Sequence, residues 1–225
     1  MTGRTYGQFC GLARALELVG ERWAMLVVRD LVLGPKRFSD LRETLPRVPS
    51  SMLSARLNEL ERAGVIRRRV QPHLEASVVY ELTEYGGELE PVLLQLGRWG
   101  ARSLGEPAPD DAFTLDSAIL ALYATFQPEA ASDIRVNYEL RFGDMVVHAM
   151  IDDGVLKVAE GALPDADLVI ETFQLKQLLA GEVTPSELLA SGEADVRGDL
   201  ELLNLFVELF HIAPAPVPAE GLAVR

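Results

Sequence analysis

The chain has 225 residues, of which 48% are hydrophobic and 24% charged. That mix is ordinary for a globular protein and excludes wholesale disorder. No apolar run approaches the roughly 20 residues that cross a bilayer, and the N-terminus has no apolar core of a signal peptide, so a cytoplasmic protein with no membrane partner is expected. One cysteine, Cys10, excludes an internal disulfide framework and a cysteine-based zinc knuckle. The net charge of −13 hides an asymmetry: residues 1–105 carry 15 basic and 12 acidic side chains, and the remainder only 6 against 22. Only the first half can attract a polyanion.

In chain order, Leu12, Ala15, Leu16 and Val19 repeat at helical spacing up to Gly20. Trp23, Leu26, Val27, Leu31 and Val32 form a second apolar stripe, closed by Gly34-Pro35. Phe38, Leu41 and Leu45 give a short third helix that Pro46 stops. Pro49-Ser50 opens a fourth, which runs to about Ala63 before Gly64. The period then changes. Val65 to Val70 and Ser77 to Leu82 read as strands of a two-stranded hairpin, and Thr83 to Ser103 as one long closing helix. This order defines a mainly α winged helix-turn-helix domain over residues 1–104.

The fourth helix can be phased. Leu53, Leu57 and Leu60 fall within about 60° of one another at roughly 100° per residue and face a core. The other side shows Ser51, Ala55, Asn58 and Arg62, flanked by Ser54 and Arg56. Small hydroxyls, an amide and guanidinium groups suit close approach to base edges and phosphates. From Lys36 to His73 there are nine Lys and Arg residues and four acids, a basic island in an acidic chain. Arg67, Arg68 and Arg69 lead into the wing, with Arg68 on the opposite side of the strand from its neighbours. Each arginine has a bland reading as part of a solvated face, and Arg56 has a second one as a partner of Glu59 or Glu61.

The stretches 10–23, 33–41 (Leu-Gly-Pro-Lys-Arg-Phe-Ser-Asp-Leu), 50–66 and 80–86 (Tyr-Glu-Leu-Thr-Glu-Tyr-Gly) resemble the HxlR-type winged-helix transcriptional regulators over about residues 8–103. The resemblance implies a homodimer on a double-stranded DNA operator. It implies backbone contacts from Arg37 and Ser39, and a recognition surface of Ser50, Ser51, Ser54, Arg56 and Asn58. Lys36, Arg62, Arg67, Arg68, Arg69 and His73 complete the expected DNA-binding set. Two copies are needed because one winged helix reads too few base pairs. The surplus apolar positions Leu89, Val92, Leu93, Leu96 and Trp99 of the long helix are the expected seam, helped by the first helix. Some members of the family sense oxidants through an N-terminal cysteine. Cys10 is therefore either a candidate redox sensor or a small buried hydrophobe.

Gly105 to Ala112, with two prolines and three acids, reads as a linker. Residues 113–212 change style, and 213–225 read as a flexible tail. Ile134, Val136, Tyr138 and Leu140 alternate with polar residues as in a half-buried strand. Met145–Ile151 and Val155–Ala159 follow around an Asp152-Asp153-Gly154 turn, then a short strand at 168–171. Thr184-Pro185-Ser186-Glu187 has the form of a capping box, Ala194–Arg197 a last strand, and Asp199–Phe210 a last helix. This gives an α/β (α+β) domain with a mostly antiparallel sheet.

The segments 138–144, 151–154, 164–170, 178–185 and 191–199 resemble the sterol-carrier-protein (type 2) fold. That likeness implies an apolar tunnel for fatty-acyl or sterol-like molecules, with Leu175, Leu178, Leu179, Leu188, Leu202, Leu203, Phe206 and Phe210 as candidate walls; the same residues also serve simply as a core. His148 and His211 lack metal-ligand spacing, and no phosphate-cradling loop or catalytic set is present, so neither a metal, a cofactor nor an enzyme is expected. Three readings remain: a DNA-binding regulator responsive to an apolar small-molecule ligand, a hydrophobic-ligand carrier whose N-terminal domain serves for dimerisation, and an accessory DNA-binding module whose acidic half only recruits a partner protein.

Overall fold

The computed structural model describes residues 5–71, 77–105, 107–108 and 111–214. The expected contact His73 and most of the expected tail lie outside them. The chain divides into two units, Met1–Leu93 and Leu94–Arg225. This division falls earlier than the linker expected at 105–112. Inside the second unit, Arg98 Nη2 donates to Gln127 Oε1 at 2.9 Å, and the Arg102 guanidinium donates to the Pro214 carbonyl. No helix among the described residues is long and apolar enough to cross a membrane.

In the first unit, α1 (Gly11–Val19) and α2 (Ala24–Val32) precede a two-residue strand β1 (Lys36–Arg37), then α3 (Phe38–Thr44) and α4 (Ser50–Arg62). Strands β2 (Ile66–Gln71) and β3 (Ser77–Leu82) form the wing. Val27, Val28, Leu31, Leu41, Leu53, Leu57, Leu60, Val65, Ile66 and Val79 make the core. α2 and α3 are also joined by a buried polar knot. The fully buried Asp30 accepts from Thr44 Oγ1 at 2.6 Å and from Arg29 Nε at 2.8 Å. Such a carboxylate is tolerated only because its oxygens are satisfied.

Two expectations are corrected here. The wing sheet has three strands, in the order β1-β3-β2, not two. Lys36 and Arg37 pair with Tyr80 and Val79, and two residues are too short to show any alternation. The long closing helix is in fact two, α5 (Glu84–Gly87) and α6 (Glu90–Ala101). Pro91 cannot continue a helix from upstream, because it lacks the N–H and its ring crowds the carbonyl four residues back. Thr83 caps α5, its Oγ1 accepting the Gly86 N–H at 3.0 Å while donating to the Gly64 carbonyl at 2.6 Å. Gly86 lies so close to Val65 that an added Cβ would meet its carbonyl oxygen at 1.9 Å.

After the end of α6, the second unit continues with α7 (Leu115–Thr125), which the apolar pattern does not reveal. Leu115, Ile119, Leu120, Leu122 and Tyr123 are apolar nearly all round, so no stripe stands out. Its start was legible: Thr114 and Ser117 cap one another reciprocally. A five-stranded sheet follows, built from β4 (Arg135–Phe142), β5 (Met145–Asp152), β6 (Val155–Glu160), β7 (Leu168–Thr172) and β8 (Ala194–Gly198). The order is β6-β5-β4-β7-β8, with β4 and β7 parallel and the other pairs antiparallel. Helices α8 (Leu175–Leu179), α9 (Pro185–Ser191) and α10 (Glu201–Leu209) complete the unit.

One sheet face, with Val136, Tyr138, Leu140, Val147, Ala149, Ile151, Leu168 and Ile170, packs with Ile119, Leu122, Leu203 and Phe206 into a continuous core. Glu139, expected on the polar side of β4, is buried as well. Its Oε2 accepts the Leu163 N–H at 2.7 Å, and its Oε1 pairs with Arg141 at 2.6 Å.

Candidate nucleic-acid interface

Leu53, Leu57 and Leu60 of α4 are completely enclosed, so their opposite side is forced outward. Ser50, Ser51, Ser54, Asn58 and Arg62 all lie exposed there. Ser54 Oγ donates back to the Ser50 carbonyl at 2.9 Å, which leaves its lone pairs free to accept. Met52, which the pattern had not marked, is exposed on the same helix.

Arg56 takes the second of its two expected readings, as a partner of Glu59. Only 11% of its side chain is exposed, and its Nη1 lies 2.6 Å from Glu59 Oε2 and 3.5 Å from Glu21 Oε2. Three residues after Leu53 and four before Leu60, it falls on the core flank of the helix. It ties α4 to the turn after α1 instead of facing a groove.

The three wing arginines divide as the strand pleat demands. Arg67 and Arg69 both reach Glu81 across the hairpin, at 2.8 and 2.9 Å. Arg68 turns the other way, toward α4, where its Nη2 lies 2.6 Å from Asn58 Oδ1 and 2.7 Å from Glu61 Oε2. Its guanidinium also lies over the Tyr80 ring at 5.7 Å. The Arg67 hydrogen bond first, then the charge of Arg69, holds the Glu81 carboxyl below the usual carboxylate range.

Lys36 and Arg37 are half-buried in β1. The Arg37 backbone N–H donates to Asp40 Oδ2 at 2.8 Å, which fixes the start of α3. Ser39 is exposed beside it, with Oγ 3.0 Å from Asp40 Oδ1. One turn on, Arg42 is exposed with no ion-pair partner among the described residues; its spacing from Ser39 was the available signal.

Of the expected seam, Val92, Leu96 and Trp99 are exposed along α6 and Leu89 is half-buried. Leu93 is corrected: it is buried inside the protomer and is not available to a partner. Phe9, Leu12 and Leu16 beside and within α1 are exposed too. Cys10 is exposed at the start of α1, and hydrogen bonds from the Ala13 and Leu12 backbone N–H groups lower its thiol pKa. A cleft of about 160 Å³ lies in this unit between Ala15, Leu18, Val19, Val65, Tyr85 and Leu89.

In the second unit, Leu175, Leu178, Leu179, Leu188, Leu203, Phe206 and Phe210 are buried and Leu202 is half-buried. Ring centroids of Tyr138 and Phe206 lie 5.0 Å apart, and those of Phe206 and Phe210 4.8 Å. These side chains fill the space between sheet and helices with one another.

A three-stranded wing behind an exposed, small-residue helix defines the winged helix-turn-helix class of DNA-binding regulators. The model of the HxlR-like helix-turn-helix family matches residues 18–107. The HTH-type transcriptional regulator YdeP of Bacillus subtilis (strain 168) is 39% identical over 93 residues, covering 41% of this chain and 73% of YdeP. YodB from the same organism, also an HTH-type transcriptional regulator, is 40% identical over 85 residues, covering 38% and 76%. The chain belongs to the HxlR-like family. The reduced form of YodB superposes with a TM-score of 0.38 at 37% identity, over 45% of this chain and 99% of YodB. The second half matches the alkyl sulfatase C-terminal family model over residues 111–215, and not a sterol-carrier one.

Proposed function

We propose that the protein is a homodimeric, sequence-specific transcriptional regulator that reads a double-stranded DNA operator through α4 and its wing. The observation that carries this reading is the outward face of α4. Ser50, Ser51, Ser54, Asn58 and Arg62 stand exposed above a leucine core, with Arg42 and the wing arginines beside them in the sequence's basic island. Hydroxyls and an amide read base edges, and guanidinium groups hold phosphates.

Dimerisation supplies the second half-site, about one DNA turn away. The exposed apolar residues of α1 and α6 are its seam. The second unit takes an apolar small molecule, in the manner of a sterol-carrier fold, by parting α10 and α8 from the sheet. In the closed arrangement its ligand walls are a packed core, so uptake exchanges protein contacts for ligand contacts. Ligand then acts on DNA only by favouring one spacing of the two α4 helices. Cys10, exposed and with a lowered thiol pKa, is a second input through oxidants.

The test is binding of the intact protein to fragments of its own gene's upstream region, over a series of salt concentrations. Six or so phosphate contacts give a log–log slope of about −5. Binding indifferent to salt and sequence would remove the reading. Native mass spectrometry of the same sample reports the dimer mass and any lipid-like adduct.

A further inference from the structure

The wing's cations are already engaged by the protein's own anions. Arg67 Nε donates to Glu81 Oε1 and Arg69 Nε to Glu81 Oε2, one guanidinium on each oxygen. Only 12% of the Glu81 side chain is exposed, against 66% for Arg67 and 50% for Arg69. The carboxylate therefore lies beneath two cations that face solvent. On the other side of β2, Arg68 is shared between Glu61 and Asn58. Exposed ion pairs of this kind add little to stability, so fold maintenance does not account for them. A carboxylate with one guanidinium on each oxygen presents what two oxygens of a phosphate would present.

We propose that Glu81, seconded by Glu61, is a specificity-determining residue that stands in for DNA phosphate at the wing and so suppresses sequence-independent binding. The inference rests on the reading of α4 and the wing as the DNA-binding surface. Non-specific affinity comes almost wholly from counterions released when cations meet phosphates. A wing whose cations are neutralised internally releases fewer. On a matching operator, α4's base contacts hold the wing against the backbone, and phosphate displaces the carboxylates there. On random DNA nothing supplies that hold. The two arginines also keep Glu81 ionised at neutral pH, so the restraint is always present.

The experiment compares the full chain with Glu81→Gln, Glu61→Gln and Asp152→Asn on a short random-sequence duplex, by fluorescence anisotropy across a salt series. Asp152 pairs with Arg135 in the second unit, so its variant removes the same unit of charge elsewhere. Glu81→Gln is expected to tighten random-duplex binding roughly eightfold at 0.1 M salt and to steepen the log–log slope by about 0.9, as one more phosphate is neutralised. Glu61→Gln moves in the same direction, and serves alone if Glu81→Gln fails to fold by circular dichroism. Asp152→Asn leaves the slope unchanged. Weaker or unaltered binding by the glutamate variants, or an equal change in Asp152→Asn, overturns the proposal. A wild-type chain that binds no duplex at low salt removes the DNA reading and this inference together. Wild-type binding that the glutamate variants leave unaltered removes the inference alone.

Discussion

The two units finish their apolar surfaces differently. The second encloses Tyr138, Phe206 and Phe210 with no exposure at all, while Phe113 and Phe173 stay at its surface. The first leaves Phe9, Leu12, Leu16 and Val92 in solvent, and α6 carries on with Leu96 and Trp99 exposed. Both draw on a similar stock of leucine and aromatic residues, so composition does not explain the contrast. Placement does. In the second unit a sheet face is roofed by helices. In the first, α1 turns Ala13 and Val19 inward and leaves Leu12 and Leu16 exposed, and along α6, which runs from the first unit into the second, Val92, Leu96 and Trp99 are exposed. Scattered exposed hydrophobics are normal, but a row along a helix marks an interaction surface.

The largest effect should come from breaking that row. Leu96→Glu with Trp99→Glu places two carboxylates on the exposed side of α6. Sedimentation should report monomers, and operator binding should fall to that of a single half-site. Because both side chains are exposed, protomer stability should change by only about 0.5 kcal/mol. A variant that stays dimeric places the seam elsewhere. Leu93→Glu is no substitute, since it buries a charge within the protomer.

Next comes the enclosed side of the comparison. Phe206→Ala removes a ring wedged between Tyr138 and Phe210 and should cost about 3–5 kcal/mol, read by urea unfolding. A loss below about 1 kcal/mol would mean that the space around α10 collapses easily, which is what ligand uptake requires. Smaller again is Asp30→Asn. It leaves Thr44 a neutral partner and Arg29 an unpaired cation that is partly exposed, so about 2 kcal/mol is expected. The same variant loosens α3 on α2 and should weaken operator binding, with little change on random DNA.

These expectations also show where the sequence speaks and where it is silent. Leu53, Leu57 and Leu60 set the phase of α4 unaided, and the pleat separates Arg68 from Arg67 and Arg69. Spacing of that kind is local. The wheel put Arg56 on the flank of the outward face, and only its contacts with Glu59 and Glu21 show it on the core flank. Pro91 announces the break between α5 and α6 as plainly as any residue in the chain, yet a continuous apolar stripe masks it. What spacing cannot carry is partnership across elements. Glu81 meets two arginines because β2 and β3 pair with Arg67 opposite Glu81. Asp30 meets Thr44 because α2 crosses α3. Glu139 reads as an outward polar residue until the loop through Leu163 closes over it. Each depends on register or packing, and each carries a polar group whose burial no alternation encodes.

A finer probe of the interface is Arg42→Ala. An exposed arginine near Ser39, with no ion-pair partner among the described residues, should contribute one phosphate contact, so its loss should flatten the salt slope by about 0.9 without relaxing base preference. An unchanged slope would remove α3 from the contact surface.

The smallest effect concerns Cys10, and it bears on the seam directly. Hydrogen bonds from the Ala13 and Leu12 N–H groups favour the thiolate, because it accepts them more strongly than the thiol does. Its alkylation rate should therefore rise through a midpoint below that of a free cysteine. A midpoint at or above that value would contradict the hydrogen bonds. Cys10 also immediately precedes α1, between the exposed Phe9 and Leu12 in the sequence. If α1 joins the dimer seam, the partner shields the sulfur as well as the rings. The wild-type dimer should then alkylate more slowly than the Leu96→Glu/Trp99→Glu monomer at the same pH. Equal rates would confine the seam to α6 and leave Cys10 open to oxidants in the assembled regulator.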